Sequence, residues 1–195
     1  MIYLSPTTTT PVLPYWGRLI QPGNSGDVTA WRCWAADNAA FGGRFDPAAF
    51  GRMLARYDYA RSWCLFAVAP DVVGDAVQTL EMFRPWSVRI RSLGYRVAYV
   101  AQDGAELYGL PDADALFIGG STEWKLSGEA GAMIQRARAR GMWVHMGRVN
   151  SRKRIAHAQR WGCDSVDGTC PAFGPDVNNR ILEPQLRQTT MGALL

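Results

Sequence analysis

Side chains that could act as nucleophiles, acids or bases follow a series of short apolar segments in this 195-residue sequence. Each segment runs into a polar or glycine-containing group. These groups are Asp37-Asn38, Asp71, Gln102-Asp103, Gly119-Gly120-Ser121, Gly147-Arg148-Val149-Asn150 and Asp164-Ser165-Val166-Asp167. Two carboxylates in one site can divide a reaction, one as the nucleophile and the other as proton donor and acceptor. The series therefore predicts a site, provided that the fold brings these groups together.

The apolar segments themselves predict strands that are buried on both faces, as in parallel sheets. They cover residues 34–36, 65–69, 97–101, 115–118, 143–146 and 165–166, with 1–4 as a further candidate. Helical patterns separate several of them. The first opens at Asp46-Pro47, the second covers 75–93 before Gly94, the third 127–141, and the fourth 151–161 before Gly162.

Alternation of strands and helices predicts an α/β fold. Six or seven strands suit a compact (β/α) barrel of the TIM type, complete or trimmed by a strand; an open parallel α/β sheet is the alternative. We expect one domain over residues 1–195, with an irregular segment at 5–30 where Thr, Pro and Gly are frequent. In a parallel barrel the carboxyl ends of all strands meet at one face, so the polar groups would share a site.

Composition narrows the class of protein. Hydrophobic residues make up 48% and charged residues 19%, which is typical of a globular domain and not of a disordered chain. The formal net charge is +4, which permits a polyanionic partner. The absence of a signal sequence or a long apolar run predicts a cytoplasmic protein with no membrane association. Cys33, Cys64, Cys163 and Cys170 form no CxxC pair, so we expect reduced thiols and no metal site.

Taken in order, the strand-end residues resemble those of the tRNA-guanine transglycosylase superfamily, and most closely its short phage members, the deazaguanine DNA transglycosylases. The similarity covers Asp37 to Asp167, about two thirds of the chain. The matching stretches are Asp37-Asn38-Ala39-Ala40-Phe41, Asp71, Val100-Ala101-Gln102-Asp103-Gly104, Ile118-Gly119-Gly120, Met146-Gly147 and Gly162-Cys163-Asp164-Ser165-Val166-Asp167. In the family, Asp-Ser-Gly-Gly-Phe stands at the first of these stretches.

The resemblance implies a role for each matched residue. Asp167 would be the nucleophile and Asp37 the acid and base, while Asp164, three residues before Asp167 on the same strand, would point elsewhere. Asp71 and Gln102 would bind the base. Four further residues are expected to bind the substrate: Gly119, Gly120, Met146 and Gly147. The N–H of Gly119 or Gly120 would face the base oxygen O6.

The implied reaction exchanges guanine in a nucleic acid for a 7-deazaguanine base, and it requires neither a metal nor an organic cofactor. The family's zinc-binding cysteines have no counterpart after Asp167, which favours DNA over tRNA as substrate. The resemblance also implies a homodimer as one arrangement and the host cytoplasm as location if the protein is phage-encoded.

Two further groups have a candidate role in binding nucleic acid. Basic side chains after the 143–146 strand could contact phosphates, or they could form a solvated helix face: Arg148, Arg152, Lys153 and Arg154. Trp34 and Trp124 stand near predicted strand ends, where they could stack on an extruded base or pack in the core.

Two other functions fit the same residues. If water rather than a modified base captured the sugar, the protein would be an N-glycosidase or a nucleoside hydrolase. A barrel that has lost its chemistry would bind only nucleic acid or a partner protein, and the altered loop after Asp37 is consistent with that.

Overall fold

Eight parallel strands form a closed barrel in the order of the chain. The structure, a computed structural model, describes residues 1–6, 14–24, 26–41, 43, 45–170, 182–184 and 186. The strands are β1 (Ile2–Ser5), β2 (Trp16–Ile20), β3 (Trp34–Ala36), β4 (Cys64–Val68), β5 (Val97–Ala101), β6 (Ala115–Ile118), β7 (Trp143–Met146) and β8 (Ser165–Asp167). Pairing of β1 with β8 closes the barrel, so the fold is the complete (β/α) barrel and not an open sheet.

Helices connect the later strands, and each begins at a side chain that caps it. They are α1 (Pro47–Arg56), α2 (Ala76–Ser92), the short α3 (Thr122–Lys125), α4 (Gly128–Ala139) and α5 (Arg152–Trp161). Asp46 accepts N–H groups at the start of α1, and Ser127 does so at α4. Gly162 ends α5 with a φ of 83°, a conformation that glycine adopts without strain. The four long helices predicted from the sequence are thus confirmed.

One strand of the barrel contradicts the prediction that residues 5–30 are irregular. β2 contains Gly17 and Arg18, which interrupt its apolar run and hide the strand in the sequence. A Cβ at Gly17 would lie 2.7 Å from Leu4 Cδ2, so the tight packing of β2 on β1 requires the glycine. Arg18 is buried and donates a hydrogen bond to the carbonyl oxygen of Ser5 at 2.9 Å.

The barrel has two apolar layers because side chains alternate along each strand. The outward layer packs against the helices. The inward layer fills the barrel and has fewer residues than the outward layer. Its buried members are Leu4, Leu19, Ala35, Phe66, Val68, Ala98, Val100 and Ala115. The cavity described next lies at the carboxyl ends of the strands, and Leu19, Val68 and Val100 of this layer line it. Within the described residues, no helix combines the length and apolar character needed to cross a bilayer.

Candidate active site

A cavity of about 350 Å³ opens at the carboxyl ends of the strands. Its floor is apolar and includes Leu19, Val68, Val100 and Phe117. Its polar lining comes from the ends of different strands and includes Asp37, Asn38, Asp71, Gln102, Gly119, Gly120, Arg148, Asn150 and Asp167. Polar groups that the chain separates by up to 130 residues therefore share one enclosed space, as expected for a parallel barrel.

Asp71 and Gln102 form a hydrogen-bonded pair in this cavity. Gln102 Nε2 donates to Asp71 Oδ2 at 2.7 Å, and Asn38 Nδ2 donates to Asp71 Oδ1 at 3.0 Å. Asn38 is itself held, because its amide also donates to the carbonyl oxygen of Ala69 at 2.8 Å. Burial raises the pKa of Asp71, and the hydrogen bonds from Asn38 and Gln102 oppose that rise.

The orientation of the Gln102 amide is fixed by two backbone donors. The N–H groups of Gly74 and Gly120 both donate to Gln102 Oε1, each at 3.1 Å. The amide nitrogen must therefore be the end that faces Asp71. Of its two hydrogens, one is used by Asp71, and no hydrogen bond within the described residues uses the second.

Gly119 and Gly120 shape this part of the site, but their N–H groups are not directed at a ligand. The N–H of Gly119 donates to Ala101 at 3.0 Å and that of Gly120 donates to Gln102. The expectation that one of them faces a base oxygen is therefore wrong for this structure. The glycines are needed for space: a Cβ at Gly119 would lie 2.8 Å from Val100, and one at Gly120 would lie 2.4 Å from Asp103 Oδ1.

Asp167 ends β8 and faces the same cavity. Its Oδ1 accepts the backbone N–H of Arg148 at 3.0 Å and lies 3.2 Å from Nε2 of His145. Asp164 is elsewhere: it accepts the N–H of Val144 and stands 3.9 Å from Arg138, outside the cavity. Of the two carboxylates near β8, Asp167 is thus the one that lines the cavity.

Asp37 provides a carboxylate of different character. Burial raises its pKa to about 7; the N–H of Ala39, 2.6 Å from Oδ1, opposes the shift, and the charges of Asp167 and Asp71 add to it. A carboxyl group with such a pKa can both give and take a proton near neutral pH. Its electrostatic coupling to Asp167 and Asp71 indicates that the three carboxylates lie close enough to influence one another.

Backbone strain is concentrated at two points of this cavity. Among the described residues, positive φ angles outside glycine occur only at Ala39, with 59°, and at Arg148, with 58°. Both residues line the cavity. Conformations of this kind cost free energy and often occur where a loop must hold functional groups in place. Ala39 holds the Asp37 carboxylate through its N–H, and Arg148 holds Asp167 in the same way.

Met146 and Gly147 do not line the cavity, contrary to the expectation that they bind the substrate. Met146 is fully buried in the outward layer, because it follows the inward-facing His145 on β7. Gly147 provides space, since a Cβ there would lie 2.7 Å from the ring of Phe117 and 3.3 Å from Asp167 Oδ1. Its carbonyl oxygen accepts a hydrogen bond from Lys125 Nζ at 2.8 Å.

Two functional candidates escaped the sequence reasoning. His145 contacts Asp167 from inside the barrel, and counting alternate residues along 143–146 could have found it. Lys125 has no sequence signal, because lysines are usually exposed. It is buried beside the loop that follows β7, and its pKa is lowered to about 8, mainly by burial and also by the charge of Arg148, while Asp167 acts in the opposite direction.

The basic residues divide between the cavity and a helix end. The Arg148 side chain lies over the Phe41 ring, with Cζ 4.8 Å from its centroid, and donates to the carbonyl oxygen of Gly120. Arg152 and Lys153 are exposed on the first turn of α5. Arg154 is partly buried and donates to the carbonyl oxygen of Arg148 at 3.4 Å. Only Arg148 of these four lines the cavity among the described residues.

Neither tryptophan considered for base stacking reaches the cavity. Trp34 is fully buried and donates to the carbonyl oxygen of Ala60 at 2.8 Å. Trp124 is also buried, and its Nε1 donates to Glu106 at 3.0 Å. Both belong to the outward apolar layer, and the aromatic rings that line the cavity are instead Phe41 and Phe117.

No protein-family model matches this chain, and no curated protein does. Among solved structures, 22 chains match. The PaMucR phosphodiesterase in complex with c-di-GMP matches at 17% identity with a TM-score of 0.43, over 72% of this chain and 60% of that chain. The Klebsiella pneumoniae BlrP1 complex with manganese and cyclic di-GMP at pH 6 matches at 15% identity with a TM-score of 0.45, over 71% and 38% respectively.

This chain thus corresponds to 60% and 38% of the length of those two chains. The Amycolatopsis orientalis BexX/CysO complex matches at 13% identity with a TM-score of 0.52, over 90% of this chain and 79% of that chain. At such identities the likeness concerns the barrel fold alone.

Proposed function

We propose that this chain exchanges guanine in a nucleic acid, DNA in preference to tRNA, for a 7-deazaguanine base, through a covalent bond between Asp167 and C1′ of the sugar. The observation that carries the proposal is the placing of three carboxylates with different surroundings in one cavity: Asp37, Asp71 and Asp167. Asp71 would bind the base, Asp167 would form the bond to the sugar, and Asp37 would transfer the protons.

Recognition of the base would fall to Asp71 and Gln102. The guanine edge presents two donors, N1–H and N2–H₂, beside the acceptor O6. Each oxygen of Asp71 accepts one hydrogen bond from the protein and has a further lone pair for the donors. The free hydrogen on Gln102 Nε2 suits O6. Adenine would leave these buried groups unpaired, which discriminates against it by up to ~10⁴.

Asp167 would attack C1′ as the bond to the departing guanine breaks. Guanine leaves with the electron pair of the glycosidic bond and receives a proton from Asp37. The 7-deazaguanine then gives its N9 proton to Asp37 and attacks C1′, and the electron pair of the ester bond returns to Asp167. The raised pKa of Asp37 suits this two-way transfer, because its carboxyl group holds a proton in part of the molecules at neutral pH.

The nucleic acid itself would be held at the cavity rim. Arg148 stands there with its guanidinium against Phe41. Arg152 and Lys153 extend the positive charge along the start of α5, where backbone phosphates would be contacted. Contacts to phosphates are independent of the nucleotide sequence, so they would fix the position of the nucleic-acid strand, while the cavity would select the base.

The direct test follows guanine release from labelled double-stranded DNA and, separately, from tRNA, with and without 7-cyano- or 7-aminomethyl-7-deazaguanine. Release from DNA that depends on the added base supports the proposal. Release without any added base would identify a glycosylase or hydrolase. Release from tRNA alone would mean that tRNA, and not DNA, is the substrate. No release from either nucleic acid by the folded protein would point to a binding function.

Asp167→Asn should reduce exchange at least ~10³-fold and remove any covalent protein–DNA adduct seen after denaturation. Asp164→Asn is the matched control, because this carboxylate lies three residues earlier and outside the cavity. Equal activity of Asp167→Asn and the unmodified protein would exclude Asp167 as the nucleophile.

A further inference from the structure

Four side chains form a continuous hydrogen-bonded series inside the barrel that ends at Asp167. Trp143 Nε1 donates to Ser165 Oγ at 2.8 Å, and Ser165 Oγ lies 2.9 Å from His145 Nδ1. His145 Nε2 lies 3.2 Å from Asp167 Oδ1. Ser165 and His145 are completely buried, so water does not compete with this series.

The chemistry of its two end members sets the direction of the series. An indole N–H can only donate, so Ser165 Oγ is the acceptor from Trp143. The carboxylate of Asp167 can only accept, so the hydrogen of a neutral imidazole lies on Nε2 and is donated to Asp167. His145 Nδ1 then carries no hydrogen and accepts the hydroxyl hydrogen of Ser165.

Packing keeps the imidazole in this orientation. Its ring centroid lies 4.5 Å from that of Phe117 and 5.4 Å from that of Phe66. A rotation of this completely buried ring would break both of its hydrogen bonds. Two aromatic neighbours and two hydrogen bonds therefore hold His145 in place.

We propose that His145, held as the Nε2–H tautomer between Ser165 and Asp167, is the positioning residue of Asp167, and that it holds Oδ1 so that Oδ2 forms the bond to the sugar. The inference rests on the proposed function and extends it to a residue that touches no substrate. The backbone N–H of Arg148 also donates to Oδ1, at 3.0 Å. Within the described residues, no hydrogen bond reaches Oδ2, which leaves this oxygen open to the cavity.

The two half-reactions, attack by Asp167 on C1′ and its later release, would depend differently on the N–H of His145. In the covalent intermediate, Oδ2 is bonded to C1′ and Oδ1 is the ester carbonyl oxygen. When N9 of the incoming base bonds to C1′, the C1′–Oδ2 bond breaks and its electron pair returns to the carboxylate, where Oδ1 shares the charge. The N–H of His145 stabilises that charge, so its loss should slow release from Asp167 more than attack by Asp167.

The tautomer can be measured without any activity. The sequence contains only two histidines, so His157→Gln leaves His145 as the single imidazole in a ¹⁵N-labelled protein. Two-bond ¹H–¹⁵N spectra at neutral pH should show a neutral ring protonated at Nε2. In Ser165→Ala the acceptor at Nδ1 loses its partner, so the Nδ1 resonance should move while Nε2 keeps the hydrogen that it donates to Asp167. A ring protonated at Nδ1, or at both nitrogens, in the protein with Ser165 intact would overturn the proposal.

Pre-steady-state exchange on DNA tests the consequence. His145→Phe, which keeps an aromatic ring but has no N–H, should slow the second half-reaction roughly 10- to 100-fold and accumulate the protein–DNA adduct. His145→Gln, whose amide nitrogen can replace Nε2, should lose less. The proposal would be overturned if His145→Phe and His145→Gln each slowed both half-reactions equally, or if neither variant slowed exchange. If His145→Phe does not fold, His145→Gln still tests the proposal. If the unmodified protein exchanges no base, the proposed function fails, while the spectra still decide how His145 holds Asp167.

Discussion

Gln102 and Asp71 hold each other in one orientation. The amide nitrogen of Gln102 lies 2.7 Å from Asp71 Oδ2, while its amide oxygen accepts two backbone N–H groups at 3.1 Å. Neither side chain can turn without leaving a buried polar group unpaired, which costs about 1–3 kcal/mol. The donor and acceptor pattern offered to a ligand is therefore set before the ligand arrives.

Asp71→Asn should disturb this pattern. An asparagine has one oxygen for two donors, Asn38 and Gln102, so its NH₂ group would oppose one of them. We expect kcat/KM for guanine exchange to fall at least ~10²-fold and thermal stability to fall slightly. Asp75→Asn is the control, since Asp75 caps α2 at the surface and asparagine is an equally good cap. Equal activity of both variants would remove Asp71 from base recognition.

Asp37 should make stability depend on pH with a defined sign. Its pKa rises from 3.8 to about 7 on folding, mainly through burial, so between these values the folded chain holds a proton that the unfolded chain has lost. The contribution of Asp37 to stability therefore falls as pH increases through this window. Asp37→Asn should gain about 2–3 kcal/mol relative to the unmodified protein between pH 5 and pH 8, measured by urea unfolding. A difference that does not vary with pH would show that the pKa of Asp37 is not raised.

Ala39→Gly should stabilise the protein. Ala39 has a φ of 59°, which costs an alanine about 1 kcal/mol and costs a glycine much less. The variant keeps the backbone N–H that donates to Asp37, so activity should be retained. Ala40→Gly is the matched control: Ala40 is buried and has no positive φ, so it should lose stability. Denaturant midpoints for both variants check the prediction, and a loss in Ala39→Gly would contradict it.

Gly120→Ala should destabilise the protein by at least about 2 kcal/mol. The residue has a φ of 61°, and its new Cβ would lie 2.4 Å from Asp103 Oδ1 and 2.7 Å from the Trp124 ring. Gly128→Ala is the control, since a Cβ there meets nothing within 4 Å and the position opens α4. Thermal unfolding of the two variants compares them directly, and similar melting temperatures would refute the steric reasoning.

The strand pattern was predictable where strands are buried on both faces. Segments 97–101, 115–118 and 143–146 were identified to the residue, because apolar side chains dominate them and His145 is the one strongly polar interruption. β2 was missed because Gly17 and Arg18 do not look like strand residues in the sequence. Only the structure shows that Gly17 allows the close approach of β1 and that Arg18 makes a buried hydrogen bond. Because β2 was missed, the sequence predicted a barrel that was either complete or trimmed by a strand, with an open sheet as the alternative.

The candidate site was predictable at the level of strand ends and not at the level of side-chain direction. Asp37, Asp71, Gln102 and Asp167 do line one cavity, as their positions after apolar segments indicated. Met146 was assigned from a motif, and the pleat of β7 turns it outward and His145 inward. Which neighbouring residue faces the interior depends on register, and a short strand fixes register only through its pairing.

The pairing of Leu4 with Asp167 has a consequence for folding in the cell. β1 is synthesised first, yet its partner β8 emerges from the ribosome more than 150 residues later. Until then β1 can pair only with β2, and the wall that carries Asp167 does not exist. Barrel closure and the placing of the Asp167 carboxylate at the cavity are therefore a single event, and a truncated translation product lacking β8 would have neither.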